Sequence, residues 1–81
     1  MCEETLREVI DMKVDSLRFT HDPVADAAYI YVRYPIEFGE VVRSDVETPP
    51  MTSIIYDFDD EGRLLGIEIL GASKLLPGEF F

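Results

Sequence analysis

Apolar and polar side chains change their period along the chain, from helical spacing near the start to strict alternation after it. Over residues 3–14 (EETLREVIDMKV), Leu6, Val9, Ile10 and Val14 recur at helical spacing between charged residues, which predicts a short amphipathic helix. Glu3 and Glu4 fall in its first turn, where the helix dipole favours acids. Such a short helix is marginal alone in water, so its apolar stripe is expected to cover one face of the remaining fold. From Ser16 the period drops to two: Leu17 and Phe19 oppose Arg18 and Thr20 as far as His21, the pattern of a half-buried strand. Asp22 is placed to cap a turn with Pro23 at its first position. A second strand over 27–34 (AAYIYVRY) sets Ala28, Ile30, Val32 and Tyr34 on one face and Tyr29, Tyr31 and Arg33 on the other. A third, over 40–46, alternates weakly, is rich in charge and stops at Thr48-Pro49-Pro50, which reads as a sheet edge.

The clearest local signal is a hairpin over 52–70. Ile54, Tyr56 and Phe58 alternate on its incoming strand and Leu65, Ile67 and Ile69 on its outgoing one. Asp59-Asp60-Glu61-Gly62 supplies the turn, with Gly62 expected in the left-handed region. After Gly71 the run ASKLL predicts a helical turn stopped by Pro77-Gly78. The expected class is α+β: a small antiparallel β-meander of about five strands with a short N-terminal helix and a C-terminal helical turn. Residues 1–15 form the helical extension and 16–81 a single β-rich domain, since 81 residues support only one core.

From about Leu17 to Leu76 the chain resembles the small bacterial domain-of-unknown-function family typified by the YuzE protein. The matching residues are His21-Asp22-Pro23, Asp26-Ala27, Tyr29-Ile30, Ile54-Ile55-Tyr56-Asp57, the stretch DEGRLLGIEIL over 60–70, and Ala72-Ser73. The resemblance implies a compact β-rich domain and no established reaction. Residues 1 to about 15 precede the family's usual start, and His21 stands where relatives usually place an aromatic residue.

Charge narrows the possible partners. Seventeen acids against seven basic residues leave a formal charge of −10, while 47% hydrophobic and 11% aromatic content is enough for a packed fold. The basic residues Arg7, Lys13, Arg18, Arg33, Arg43, Arg63 and Lys74 are scattered singly among acids. That disfavours nucleic acid, which requires a basic stripe, and an anionic membrane equally. Cys2 is the only cysteine, and the N-terminus is acidic instead of basic-then-apolar. No intramolecular disulfide, cysteine metal cluster or ordinary signal peptide is expected, and the cytoplasm is the expected compartment.

Two stretches carry candidate chemistry. From Asp57, DFDDEGRLLGIE sets Asp57, Asp59 and Glu61 at the first, third and fifth positions, then Gly62, Leu64 and Glu68, with nearly the spacing of an EF-hand loop. Its flanks, MTSIIY and GIEIL, are strand-like, so a solvated hairpin turn is expected, with at most a weak cation site at Asp57, Asp59 and Glu61. His21, with Asp22 and Asp26 close by, has the composition of a general base or a small metal site. It is the single histidine, and no nucleophile is linked to it by a recognisable pattern. Asp22 and Asp26 are therefore expected to do backbone work in the turn while His21 closes a strand. Tyr29, Tyr31 and Tyr34 lack the basic groove of a base-stacking platform and suit a packed sheet face.

No catalytic or cofactor-binding residue is expected. The function this favours is a non-enzymatic binding or regulatory module for a basic protein, as a small antitoxin neutralises a cationic toxin. The alternative is an enzyme or ligand binder with a weak metal-assisted site at His21, Asp22 and Asp26 or in the acidic turn 57–61. Tyr29, Tyr31, Ile55, Leu64, Leu70, Phe80 and Phe81 are left outside the predicted core, and a symmetric homodimer is expected to bury them.

Overall fold

A computed structural model describes residues 17–81. Five strands form one antiparallel sheet: β1 (Arg18–Asp22), β2 (Ala27–Tyr31), β3 (Arg43–Glu47), β4 (Ser53–Phe58) and β5 (Leu64–Leu70). Among the described residues there is no α-helix, only isolated 3-10 turns at Ala72–Lys74 and Gly78–Phe80. The α+β expectation is therefore corrected to an all-β sheet. The C-terminal turn stays 3-10 because Pro77-Gly78 follows too soon for an α-helical nucleus to propagate. The helix expected over 3–14 lies outside the described residues. No helix among the described residues is long and apolar enough to cross a membrane.

The meander is corrected as well, because the strand order is β1-β2-β5-β4-β3. The last strand occupies the centre, and the sequences show why. LLGIEIL in β5 is apolar enough to be flanked on both sides, whereas RSDVE in β3 is exposed at all five positions and belongs at an edge. Pairing β2 with β5 also closes the sheet without a crossover of like-directed strands.

The register assigns the two faces. Phe19, Ile30, Ile67, Tyr56 and Asp45 stand opposite one another across the five strands, and His21, Ala28, Ile69, Ile54 and Glu47 form the next row of that face. Its core is Ala28, Ile69 and Ala72, with Phe19, Ile30, Ile67 and Leu76 packed against them. The C-terminal segment folds across this face, bringing the Phe80 ring 5.2 Å from Phe19 and the Phe81 ring 4.4 Å from His21. The two phenylalanines counted as leftover surface are thus partly covered by the chain itself. The other face carries Thr20, Tyr29, Glu68, Ile55 and Val46 in one row and Arg18, Tyr31, Gly66, Asp57 and Ser44 in the next. Tyr34 joins this second face, with its ring 5.0 Å from Tyr31, because regular strand ends at Tyr31 and the alternation no longer holds beyond it.

The β4–β5 hairpin forms as expected, with Gly62 at φ 78°. Asp59 closes the turn: its Oδ1 accepts the amides of Glu61 and Arg63, both at 2.9 Å. A register shift between Asp57 and Phe58 pairs Phe58 with Leu64, and the skipped residue, Leu65, is buried while its carbonyl accepts the amides of Val32 and Arg33.

Candidate functional site

Two carboxylates organise the polar side chains. Asp26 ends the β1–β2 turn at φ 52°, a left-handed conformation that aspartate tolerates. Its carbonyl accepts the amides of Gly71 and Ala72, both at 2.9 Å. Its carboxylate accepts the Ser73 hydroxyl at 2.7 Å and the Ser73 amide at 3.1 and 3.2 Å, and His21 Nε2 lies 3.4 Å away. The Ser73 hydroxyl above all, helped by the Ser73 amide and less by His21, holds the Asp26 carboxyl below its ordinary value of 3.8, with partial burial opposing.

A serine, a histidine and an aspartate meet here, but in the wrong order for catalysis. Both Ser73 and His21 address Asp26, so the serine hydroxyl is directed at the carboxylate and not at the imidazole. The imidazole instead packs edge-on to Phe81. Asp22 does what its position predicts: Oδ1 accepts the amides of Val24 at 3.0 Å and Ala25 at 3.4 Å. The structure therefore joins His21 to Asp26 and leaves Asp22 capping its own turn.

Asp57 gathers a different set on the second face. Oδ2 accepts the Tyr29 hydroxyl at 2.6 Å from β2, and Oδ1 accepts the Ser44 hydroxyl at 2.6 Å from β3. To reach Asp57 from β2, the Tyr29 ring must lie diagonally across β5, and it does so over Gly66, where a β-carbon would collide with the ring edge and hydroxyl. Burial first, and then the hydrogen bond to Asp57, push the Tyr29 hydroxyl well above its ordinary value of 10.0. The Tyr31 ring lies 4.6 Å from Tyr29, and the Arg18 guanidinium sits 4.2 Å above Tyr34. One continuous row of contacts thus runs from Arg18 through three tyrosines to Asp57 and Ser44.

The expected cation ligands are consequently dispersed. Asp57 serves the tyrosine row, Asp59 closes its turn, and Arg63 pairs with Glu61 and lies 3.9 Å from Asp59. Strands flank the loop on both sides, as its flanking sequences predict, in place of the helices an EF-hand requires. Among the described residues no three His, Cys, Asp or Glu side chains group closely enough to hold a metal ion. The other arginines are engaged too: Arg33 pairs with Glu40, and Arg43 lies 3.4 Å from Asp45 and 4.2 Å above the Phe58 ring.

Residues 18–73 match the family model described as Protein of unknown function (DUF2283). The chain belongs to that family. Its DUF2283 region begins with β1 and ends on Ser73, so both carboxylate clusters lie inside it. No curated protein and no solved structure matches the chain. Nothing local in the sequence of this DUF2283 domain gives Ser44, Gly66 or Ser73 a role in a site. Only the strand order, which carries Tyr29 over β5 and Asp26 to the C-terminal turn, makes them significant.

Proposed function

We propose that this domain is a non-enzymatic binding module for a basic protein, in the manner of an antitoxin that neutralises a cationic toxin. The observation that supports it is that all four arginines of the described residues are already held by carboxylates or aromatic rings of the fold. The surplus of acids therefore faces outward uncancelled, which attracts and orients a cationic partner. Within its family, we place the chain beside the YuzE-type members on the motifs quoted above, and in the cytoplasm on its single cysteine, which suits a reducing compartment. A second copy of the chain is the other partner we propose. A mostly apolar cleft of about 360 Å³ between β1 and the C-terminal segment, lined by Leu17, Arg18, Phe19, Ile30, Leu76 and Phe80, supports that pairing on the core side of the sheet.

The test is to isolate the full chain from its own cells under gentle conditions and quantify what accompanies it. A protein of high isoelectric point at fixed stoichiometry, released by raised salt, is the expected result. Recovery of nucleic acid, of acidic proteins, or of the chain alone overturns the reading.

A further inference from the structure

Glu68 has an unusual setting in this sheet. It lies on β5, the central strand, directly opposite Tyr29 on β2 and Ile55 on β4, on the face away from the core cluster. It is half-buried, yet it accepts no hydrogen bond and forms no ion pair with any described residue. Its neighbour in the next row, Asp57, has both oxygens occupied by hydroxyls. The Glu68 carboxylate is left to accept from a cation that a partner brings.

We propose that the tyrosine face around Glu68 is a docking surface for an arginine side chain of the basic protein partner. This rests on the binding-module reading and locates its anchor. Charge complementarity favours that occupant. Two arginines of the neighbouring strands do not fill the place: Arg43 stands on the opposite face by register, and Arg18, on the same face, is held over Tyr34. A second copy docked on this face by two-fold pairing brings Glu68 towards its own counterpart, a like-charge contact that opposes burial. Arginine fits better than lysine, because a planar guanidinium stacks on a tyrosine ring while its edge donates to a carboxylate. The Tyr29 ring is set in advance for this by Asp57 and by the space above Gly66, so ordering it on binding costs little.

The probe is an N-acetylated, C-amidated Val-Arg-Val peptide added to the isotopically labelled full chain, with the citrulline isostere as control. The arginine peptide is expected to shift the Glu68 carboxylate carbon and the Tyr29 and Tyr31 ring signals, and the citrulline peptide to leave them unmoved. Glu68→Gln is expected to weaken the arginine peptide by about tenfold or more with the sheet spectrum intact. Glu68→Asp, which keeps the charge, is expected to retain binding in part and covers the case in which Glu68→Gln is poorly folded. Shifts confined to Asp60 and Glu61, indifferent to Glu68→Gln, overturn the anchor while leaving the basic-partner reading standing. Absence of any basic protein in the isolation experiment defeats that reading separately. If Arg7→Ala or Lys13→Ala alone moves the Glu68 carboxylate signal in the isolated chain, a cation of the chain itself holds the face and the proposal fails.

Discussion

Asp26 and Asp57 each collect a serine hydroxyl and one further side chain, one near each end of the β2–β5 pairing. They differ in what else they hold. Asp26 takes main-chain amides through both its carbonyl and its carboxylate, and it ties together residues 47 positions apart in sequence. Asp57 takes only hydroxyls, from strands that the backbone ladder already fixes. A carboxylate fed by main-chain amides determines where the chain runs. One fed by hydroxyls shapes a surface on a chain whose path is already set.

The largest effect expected from breaking this contrast is that of Asp26→Ala. It removes the acceptor of Ser73 and also puts a β-carbon residue with no local hydrogen bond at φ 52°. The urea midpoint should fall further than for any variant of the Asp57 cluster, and Phe80 and Phe81 should lose their ring contacts. Asp26→Gly relieves the backbone, so the loss that persists in it reports the carboxylate alone. Acid should imitate the mutation. The Asp26 carboxyl is held below its ordinary value of 3.8 in the fold, so its stabilisation is complete above that pH and is lost as pH falls through the folded value. Hydrogen exchange at the Ser73 amide follows this directly. Exchange there that is independent of both acid and Asp26→Gly would mean that the C-terminal turn is held by packing instead.

Gly66→Ala should come next, at about 1–3 kcal/mol, the usual cost of forcing extra volume into a filled position. The Tyr29 ring must swing off β5 and release Asp57, while Ser73 exchange stays as it was. If Ser73 also loosens, the two clusters are one cooperative unit and the contrast fails. Tyr29→Phe should be mildest, at about 0.5–1.5 kcal/mol for one lost hydrogen bond. It should also remove an alkaline limb. The Tyr29 hydroxyl titrates above its ordinary value of 10.0, so the associated stability is full below that pH and declines as pH rises through the folded value. Tyrosinate absorbance in the parent and in Tyr29→Phe assigns the late-titrating group. Acid thus attacks one cluster and alkali the other.

The strands were legible because alternation is a local property. Leu17 to His21, Ala27 to Tyr31 and the two arms of the hairpin each declare a face within a few residues, and Gly62 follows from the turn chemistry between them. Strand order was not legible, because nothing within 27–34 says whether its neighbour is the next strand or the last one. The candidate sites divide along the same line. The role of Asp22 as a cap on Val24 and Ala25 is local and was read correctly. Asp26 was assigned to the same turn, since its partner Ser73 lies far along the chain. Asp57 was grouped with Asp59 and Glu61 by spacing, whereas the β2–β5–β4 register gives it to Tyr29, 28 residues away.

The central position of β5 has a consequence for how the molecule comes into being. The strand that joins the β1–β2 hairpin to β3 and β4 is the last to be synthesised. Until it emerges from the ribosome, the nascent chain holds two separate strand pairs, each too small to persist alone. Both then present unpaired inner edges, the condition in which chains pair with the wrong neighbour. Pairing of β2 with β5 also spans most of the described sequence, and such non-local closure is slow. The sheet is therefore completed only after all five strands have been made, and crowded, rapid expression favours catching it incomplete.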